Sequence, residues 1–262
     1  RFFAMCNNPM IQASELLPLG YQYPNVLDLY DLWSEHIRRQ YCGVEQDGSF
    51  AEAIPLAEYD LHRRYQLYRF AMNPSRPRRI RFVNGKADKI ELVCRLLVPA
   101  DLEAVKAFQE NVLAGIPDND TENLFEALTE AELCEALAGQ YCVGFYEEER
   151  LAALLSVIPY PKHTSNLLCD LEEWDGEDRN KNMVVDCVLV DEAYRGFGIQ
   201  RNQLFLAECM ARRLEIPLLC AVASPKNFYS IRNFIKTGYR NVATMPKYHS
   251  TRSYFVKELE EW

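Results

Sequence analysis

Apolar and polar positions along the chain follow two regimes. Leu27, Leu29, Tyr30, Trp33 and Ile37 recur at helical spacing, and residues 56–70 predict a further helix. Asn73-Pro74-Ser75-Arg76-Pro77-Arg78-Arg79 then breaks the pattern; a proline- and arginine-rich stretch of this kind reads as a solvated connector, with an anion contact as the second reading. From Ile90 onward strand-like and helix-like segments alternate. Residues 90–98 predict a strand, and Pro99-Ala100-Asp101-Leu102-Glu103 opens a helix with negative charge in its first turn. Residues 124–137 predict another helix, with the capping-box pattern Thr129-Glu130-Ala131-Glu132 as a candidate start. Strands at 141–146 and 151–157 flank the polar turn Glu147-Glu148-Glu149-Arg150, which has no glycine. A long polar loop at 159–181 contains Glu172, Glu173, Asp175, Glu177 and Asp178. Loops of that length are often functional or mobile. These acids read as solvated, with guidance of a cationic substrate as the second option. The remainder predicts a strand at 183–190, a helix at 199–214, a strand at 218–223, a helix at 227–236 and closing strands near 239–244 and 252–256. The organisation expected is a mainly helical extension or small domain over 1–89, followed by an α/β domain over 90–262.

Composition narrows the class. Of 262 residues, 48% are hydrophobic and 26% charged, as in a soluble globular protein able to bury a core. No apolar run approaches the ~18 residues of a membrane span. Arg1-Phe2-Phe3-Ala4-Met5 does not resemble a signal peptide, so a cytoplasmic location is expected. Nine cysteines without C-x-x-C spacing suit reduced thiols, and Cys94, Cys187 and Cys220 fall in apolar runs as small buried hydrophobes. His36, His62, His163 and His249 cluster neither together nor with cysteine pairs, so no metal site is expected. A net charge of −9 disfavours nucleic acid and is compatible with a cationic substrate.

Candidate chemistry concentrates where a predicted strand ends and a helix begins, at Val190-Asp191-Glu192-Ala193-Tyr194-Arg195-Gly196-Phe197-Gly198-Ile199-Gln200. A helix start offers unpaired backbone N–H groups and partial positive charge. Gly196 and Gly198 let the backbone approach a ligand, and Arg195 and Arg201 can add charge-assisted contacts. Neither the P-loop nor the Rossmann glycine pattern is present, so spacing alone says anion site.

The segment resembles motif A of the GNAT superfamily of N-acetyltransferases, [QR]-x-x-G-x-[GA], with Arg195 in the first position and Gly198 in the fourth. Gln200 departs from the small sixth residue. A side chain turned away would leave the backbone site intact, whereas one crowding the loop would lower affinity. Downstream, Asn227-Phe228-Tyr229-Ser230 and Asn233-Phe234-Ile235-Lys236-Thr237-Gly238-Tyr239 resemble the family's motif B. The resemblance covers about residues 90–258. It implies a mixed, mostly antiparallel sheet flanked by helices, with acetyl-coenzyme A as co-substrate. It further implies coenzyme contacts from Leu189, Val190, Arg195, Gly196, Phe197, Gly198, Ile199, Gln200, Arg201 and Asn227.

Asp186, on the preceding strand, occupies a place where many family members put a proton-accepting carboxylate; a satisfied polar residue beside the sheet is the equal alternative. The tyrosine that many members use as general acid is replaced by Phe234, and Tyr229 would lie roughly 140° around the same helix. Tyr229 is therefore a catalytic candidate beside a reading as core or coenzyme contact. Met245-Pro246-Lys247-Tyr248-His249-Ser250 lies where members often line the acceptor site. The activity implied is N-acetyl transfer to a small-molecule or peptide amine, and the alternative is a non-catalytic acetyl-coenzyme A-binding module. The N-terminal third reads as a cap, a separate domain or a dimerisation element giving a homodimer.

Overall fold

The computed structural model describes residues 56–116, 124–171 and 180–259. The helix expected around Leu27 to Ile37 and the acidic stretch 172–178 lie outside the described residues. Two compact units divide the chain, residues 1–66 with Trp262, and residues 67–261. Helix α1 (Leu56–Met72) forms where its apolar spacing predicts and runs from the first unit into the second.

The second unit is built on one eight-stranded sheet of order β1-β2-β3-β4-β5-β6-β8-β7. Its strands are β1 (Arg78–Val83), β2 (Lys89–Leu96), β3 (Cys142–Glu147), β4 (Arg150–Pro159), β5 (Asn182–Val190), β6 (Leu218–Ala223), β7 (Arg240–Lys247) and β8 (Ser250–Glu258). Every neighbouring pair is antiparallel except β5 and β6. The helices of this unit are α2 (Leu102–Ala114), α3 (Glu130–Ala138), α4 (Ile199–Arg213) and α5 (Phe228–Lys236).

Strand β1 corrects the expectation of a plain connector. Arg-Arg-Ile-Arg-Phe-Val alternates polar and apolar with period two, which is a strand pattern. Ile80 and Phe82 are buried, while Arg81 donates to the Glu91 carboxylate at 2.7 Å on the neighbouring strand. Charged side chains suit a strand at the sheet edge. The sheet therefore begins ahead of residue 90.

Helix α3 starts at the capping box and not at Leu124. Thr129 is extended (φ −67°, ψ 161°) and closes a capping box with Glu132, so residues 124–129 stay outside the helix. The buried Gln109 amide holds that segment by accepting from the Leu128 N–H and donating to its carbonyl. Thr129→Ala is expected to cost about 1 kcal/mol, seen as a lower urea midpoint at unchanged slope.

Helices α2 and α3 bury Val105, Phe108, Leu133 and Leu137 against Tyr146, Leu154, Cys187 and Leu189 of the sheet. A second cluster joins Leu167 and Leu168 to Val184, Leu218, Cys220 and Tyr254. Cys94, Cys187 and Cys220 are buried free thiols, as their apolar surroundings predict. Among the described residues, no helix is long and apolar enough to cross a membrane.

Candidate functional site

The parallel pair β5 and β6 is in register only from Asn182 opposite Leu218 to Val185 opposite Ala221. Beyond that point β5 continues to Val190 and β6 to Ala223 without pairing, so the two strands splay. A bulge marks the place. Val157 of β4 faces Val185 and Ser156 faces Cys187, which leaves Asp186 as the extra residue. Bulges bend a strand and re-aim its side chains.

Pairing parity decides which backbone groups face the opening. The Asp191 N–H donates to the Ala152 carbonyl at 3.0 Å. By antiparallel alternation the backbone of Leu189 also faces β4, while the N–H and carbonyl groups of Val188 and Val190 face the splayed side. Leu189 is further engaged, because its side chain is in the core and its carbonyl accepts from the buried Gln203 amide at 3.3 Å. Of the two positions expected from the sequence, Val190 is thus presented to the opening and Leu189 is not. Val188 faces the same side as Val190, which only the strand register reveals.

Past β5 the chain is pinned before it reaches the glycines. Asp191 accepts from the Ala193 N–H and from Arg150, and the Tyr194 hydroxyl donates to Glu147 at 2.6 Å. Gly196 and Gly198 then adopt left-handed backbones at φ 90° and 70°. Gly198 is the N-cap of α4, which has no side-chain cap and no acid in its first turn. The first N–H groups of this 15-residue helix therefore lack a side-chain acceptor at the positive end of its dipole. Arg201 folds back over the turn, its guanidinium 3.1 Å from where a Cβ on Gly198 would lie. The Arg195 guanidinium is 3.8 Å from the Glu192 carboxylate and half-exposed. Phe197 is partly buried, and Ile199 is buried, so of Ile199 only the backbone N–H is left to face the turn.

Gln200 settles away from the turn. Its amide donates to the Ser230 hydroxyl at 2.9 Å and accepts from Asn233 at 2.7 Å, both on α5. The departure from a small residue therefore ties two helices together and does not fill the loop. Asn227 caps α5 by accepting from the Ser230 N–H. Tyr229 stands in solvent, 86% exposed, and is not a core residue. Phe234 is 3% exposed, stacked on Phe255 at 5.0 Å and edge-on to Tyr239, so no hydroxyl is available at that position.

At the other end of the splay, burial pushes the Asp186 carboxyl up to about 6, Glu132 pushes in the same direction, and the Ser156 hydroxyl opposes. Glu132 is fixed by accepting from the Thr129 N–H and hydroxyl. The β7–β8 hairpin turns through Tyr248 and His249, both left-handed at φ 52° and 59°. Hairpin turns with two such residues favour glycine and asparagine, so this pair is held against its local preference. Burial raises the Tyr248 hydroxyl to about 12, with Asp186, Glu132 and Asp170 adding to the rise and Arg252 opposing it. Asp170 in turn receives Lys247 and the Tyr254 hydroxyl, and buried Arg252 lies 3.7 Å from Glu126. Glu132, Asp170 and Arg252 come from separate elements, and no sequence spacing connects them to Asp186. The two-residue gap between Lys247 and Ser250 is the signal that marks the turn.

No family model and no curated protein matches the chain. Among solved structures, it is similar to a GNAT-family acetyltransferase from Listeria monocytogenes 4b F2365, at 14% identity and a TM-score of 0.52 over 68% of this chain and 99% of that one. It is also similar to a GNAT-family acetyltransferase from Streptococcus agalactiae 2603, at 16% identity and a TM-score of 0.51 over 65% of this chain and 96% of that one. At these identities the likeness is one of fold, and the chain has the fold of the GNAT acetyltransferases.

Proposed function

We propose that this chain transfers an acetyl group from acetyl-coenzyme A to a primary amine of a small molecule or peptide, with both bound at once. The observation that carries the reading is the splay between β5 and β6, bounded by the uncapped start of α4 at one end and by Asp186 at the other. The residues fit an acyl-coenzyme A. The N–H groups of α4's first turn, with Arg195 and Arg201, suit a pyrophosphate, and the space around Gly196 is open, with no atom within 4 Å of an added Cβ. Amides of Val188 and Val190 suit an extended pantetheine arm, and one N–H aimed at a thioester oxygen would stabilise charge developing there.

The bound thioester supplies the activated acyl carbon. Asp186 takes the proton from the amine. With Phe234 carrying no hydroxyl, solvent returns a proton to the departing thiolate, and a thiol pKa of about 8.5 makes that step accessible. The same Phe234 favours a second reading, a module that binds acetyl-coenzyme A without turnover. A panel of amines assayed for free thiol and acetylated product separates the two. Thiol release matched by acetylated amine is expected. Tight coenzyme binding with no product across the panel would select the second reading, and absence of coenzyme binding would remove both.

A further inference from the structure

We propose that the ring of Tyr229 is the stacking platform for the adenine of the coenzyme. The proposal rests on the reading that the glycine turn holds the pyrophosphate. Tyr229 and Phe228 are 86% and 75% exposed, so two adjacent aromatic rings stand in solvent at the start of α5. Their directions differ. Ser230 and Asn233 both bond to Gln200, so the stripe they define faces the first turn of α4. At about 100° per residue, Tyr229 lies only roughly 40° from Asn233, on the flank of that stripe. Phe228 lies on the far side with Ile235, which is also exposed, while Phe234 is turned into the core.

Of the two exposed rings, then, only Tyr229 borders the surface shared by the starts of α4 and α5. A pyrophosphate seated at Gly196 to Arg201 would send the acyl arm toward the splayed strands, and the proposal places the nucleotide half over the border that the turn shares with the start of α5 through Gln200. The first turn of α5 contains no acid to repel it. A planar base laid on an exposed tyrosine face buries apolar area on one side and leaves its polar edge in water.

The test compares the intact chain with Tyr229→Ala, Tyr229→Phe and Phe228→Ala by calorimetric titration of coenzyme A and of 4′-phosphopantetheine, which lacks the nucleotide. The intact chain is expected to prefer coenzyme A. Tyr229→Ala should weaken coenzyme A about five- to tenfold, within the range measured for base–aromatic stacking, and leave 4′-phosphopantetheine unchanged. Tyr229→Phe and Phe228→Ala should bind both ligands as the intact chain does. Equal binding of the two ligands by the intact chain, or a Tyr229→Ala effect that is absent or the same for both, overturns the proposal alone. So does a change of oligomeric state on sedimentation in place of a change in affinity, which would make the face a contact with a second copy. An intact chain that binds neither ligand overturns the coenzyme reading itself.

Discussion

Asp186→Asn is expected to lower kcat/KM for a lysine-like amine by roughly 1,000-fold at pH 7.4, with the deficit shrinking about tenfold for each pH unit above that. An amine of pKa about 10.4 is neutral in only about one molecule in a thousand at that pH, a handicap of roughly 4 kcal/mol. A carboxylate in reach of the ammonium lets the chain bind the abundant protonated substrate and accept its proton as the amine attacks, general-base catalysis worth about 10²- to 10⁴-fold. With the carboxyl raised to about 6 by burial, the intact chain should show kcat/KM rising through pH 6 and then a plateau. The variant should show no plateau and climb with unit slope across pH 7 to 9, because only the neutral fraction reacts. A structural role for Asp186 would depress activity equally at every pH.

The same substitution should stabilise the fold. The folded chain binds the Asp186 proton more tightly than the unfolded chain does, so the stability tied to that proton is present at low pH. It is lost as pH rises from about 4 through the folded value of about 6. Asn carries no charge to desolvate, and above pH 6 the gain is at most about 3 kcal/mol, two pKa units' worth. Urea titrations at pH 5 and pH 8 read it directly. A variant less active and more stable at pH 8 is what a carboxylate kept buried for chemistry predicts.

Most of the sheet, and the glycine turn that opens α4, were legible in the chain because periodicity and glycine placement are local signals. The apolar run in Met183 to Val190, the turn glycines and the helix from Ile199 each follow from residues within a few positions of one another. One local signal was hidden by composition: the arginines of β1 masked a period-two strand. The capping box at Thr129, by contrast, marked a helix start that the apolar spacing alone put earlier. The surroundings of Asp186 were opaque for a different reason. Asp186 projects where it does because a bulge inserts it between Val185 and Cys187, and its neighbours Glu132 and Tyr248 arrive from α3 and the last hairpin. Likewise Leu189 and Val190 looked equivalent until the Asp191 to Ala152 hydrogen bond fixed which of them faces the opening. Gln200 is the clearest instance, since residue type alone left its direction open and its partners Ser230 and Asn233 lie 30 or more positions away.

Gly198→Val is expected to cut affinity for coenzyme A by about 100-fold or more, with loss of a matching factor for 4′-phosphopantetheine. At φ 70° and ψ 20° Gly198 sits in the left-handed region, where a β-branched residue is strained by about 1–3 kcal/mol. The chain can relieve that strain only by turning the peptide out of the conformation that aims the first α4 N–H groups at a common point. Losing two hydrogen bonds to a charged ligand at about 1.5–3 kcal/mol each accounts for the expected factor. The new Cβ also meets the Arg201 guanidinium at 3.1 Å, which moves a cation folded over the turn. Gln200→Ala is the discriminating control. Its side chain bonds α5 and not the turn, so affinity should stay within about threefold while stability falls by about 1 kcal/mol. If Gln200→Ala weakened the coenzyme as much as Gly198→Val, the α4–α5 bridge and not the glycine turn would set the site. If neither did, the uncapped end of α4 would not be where the phosphates bind.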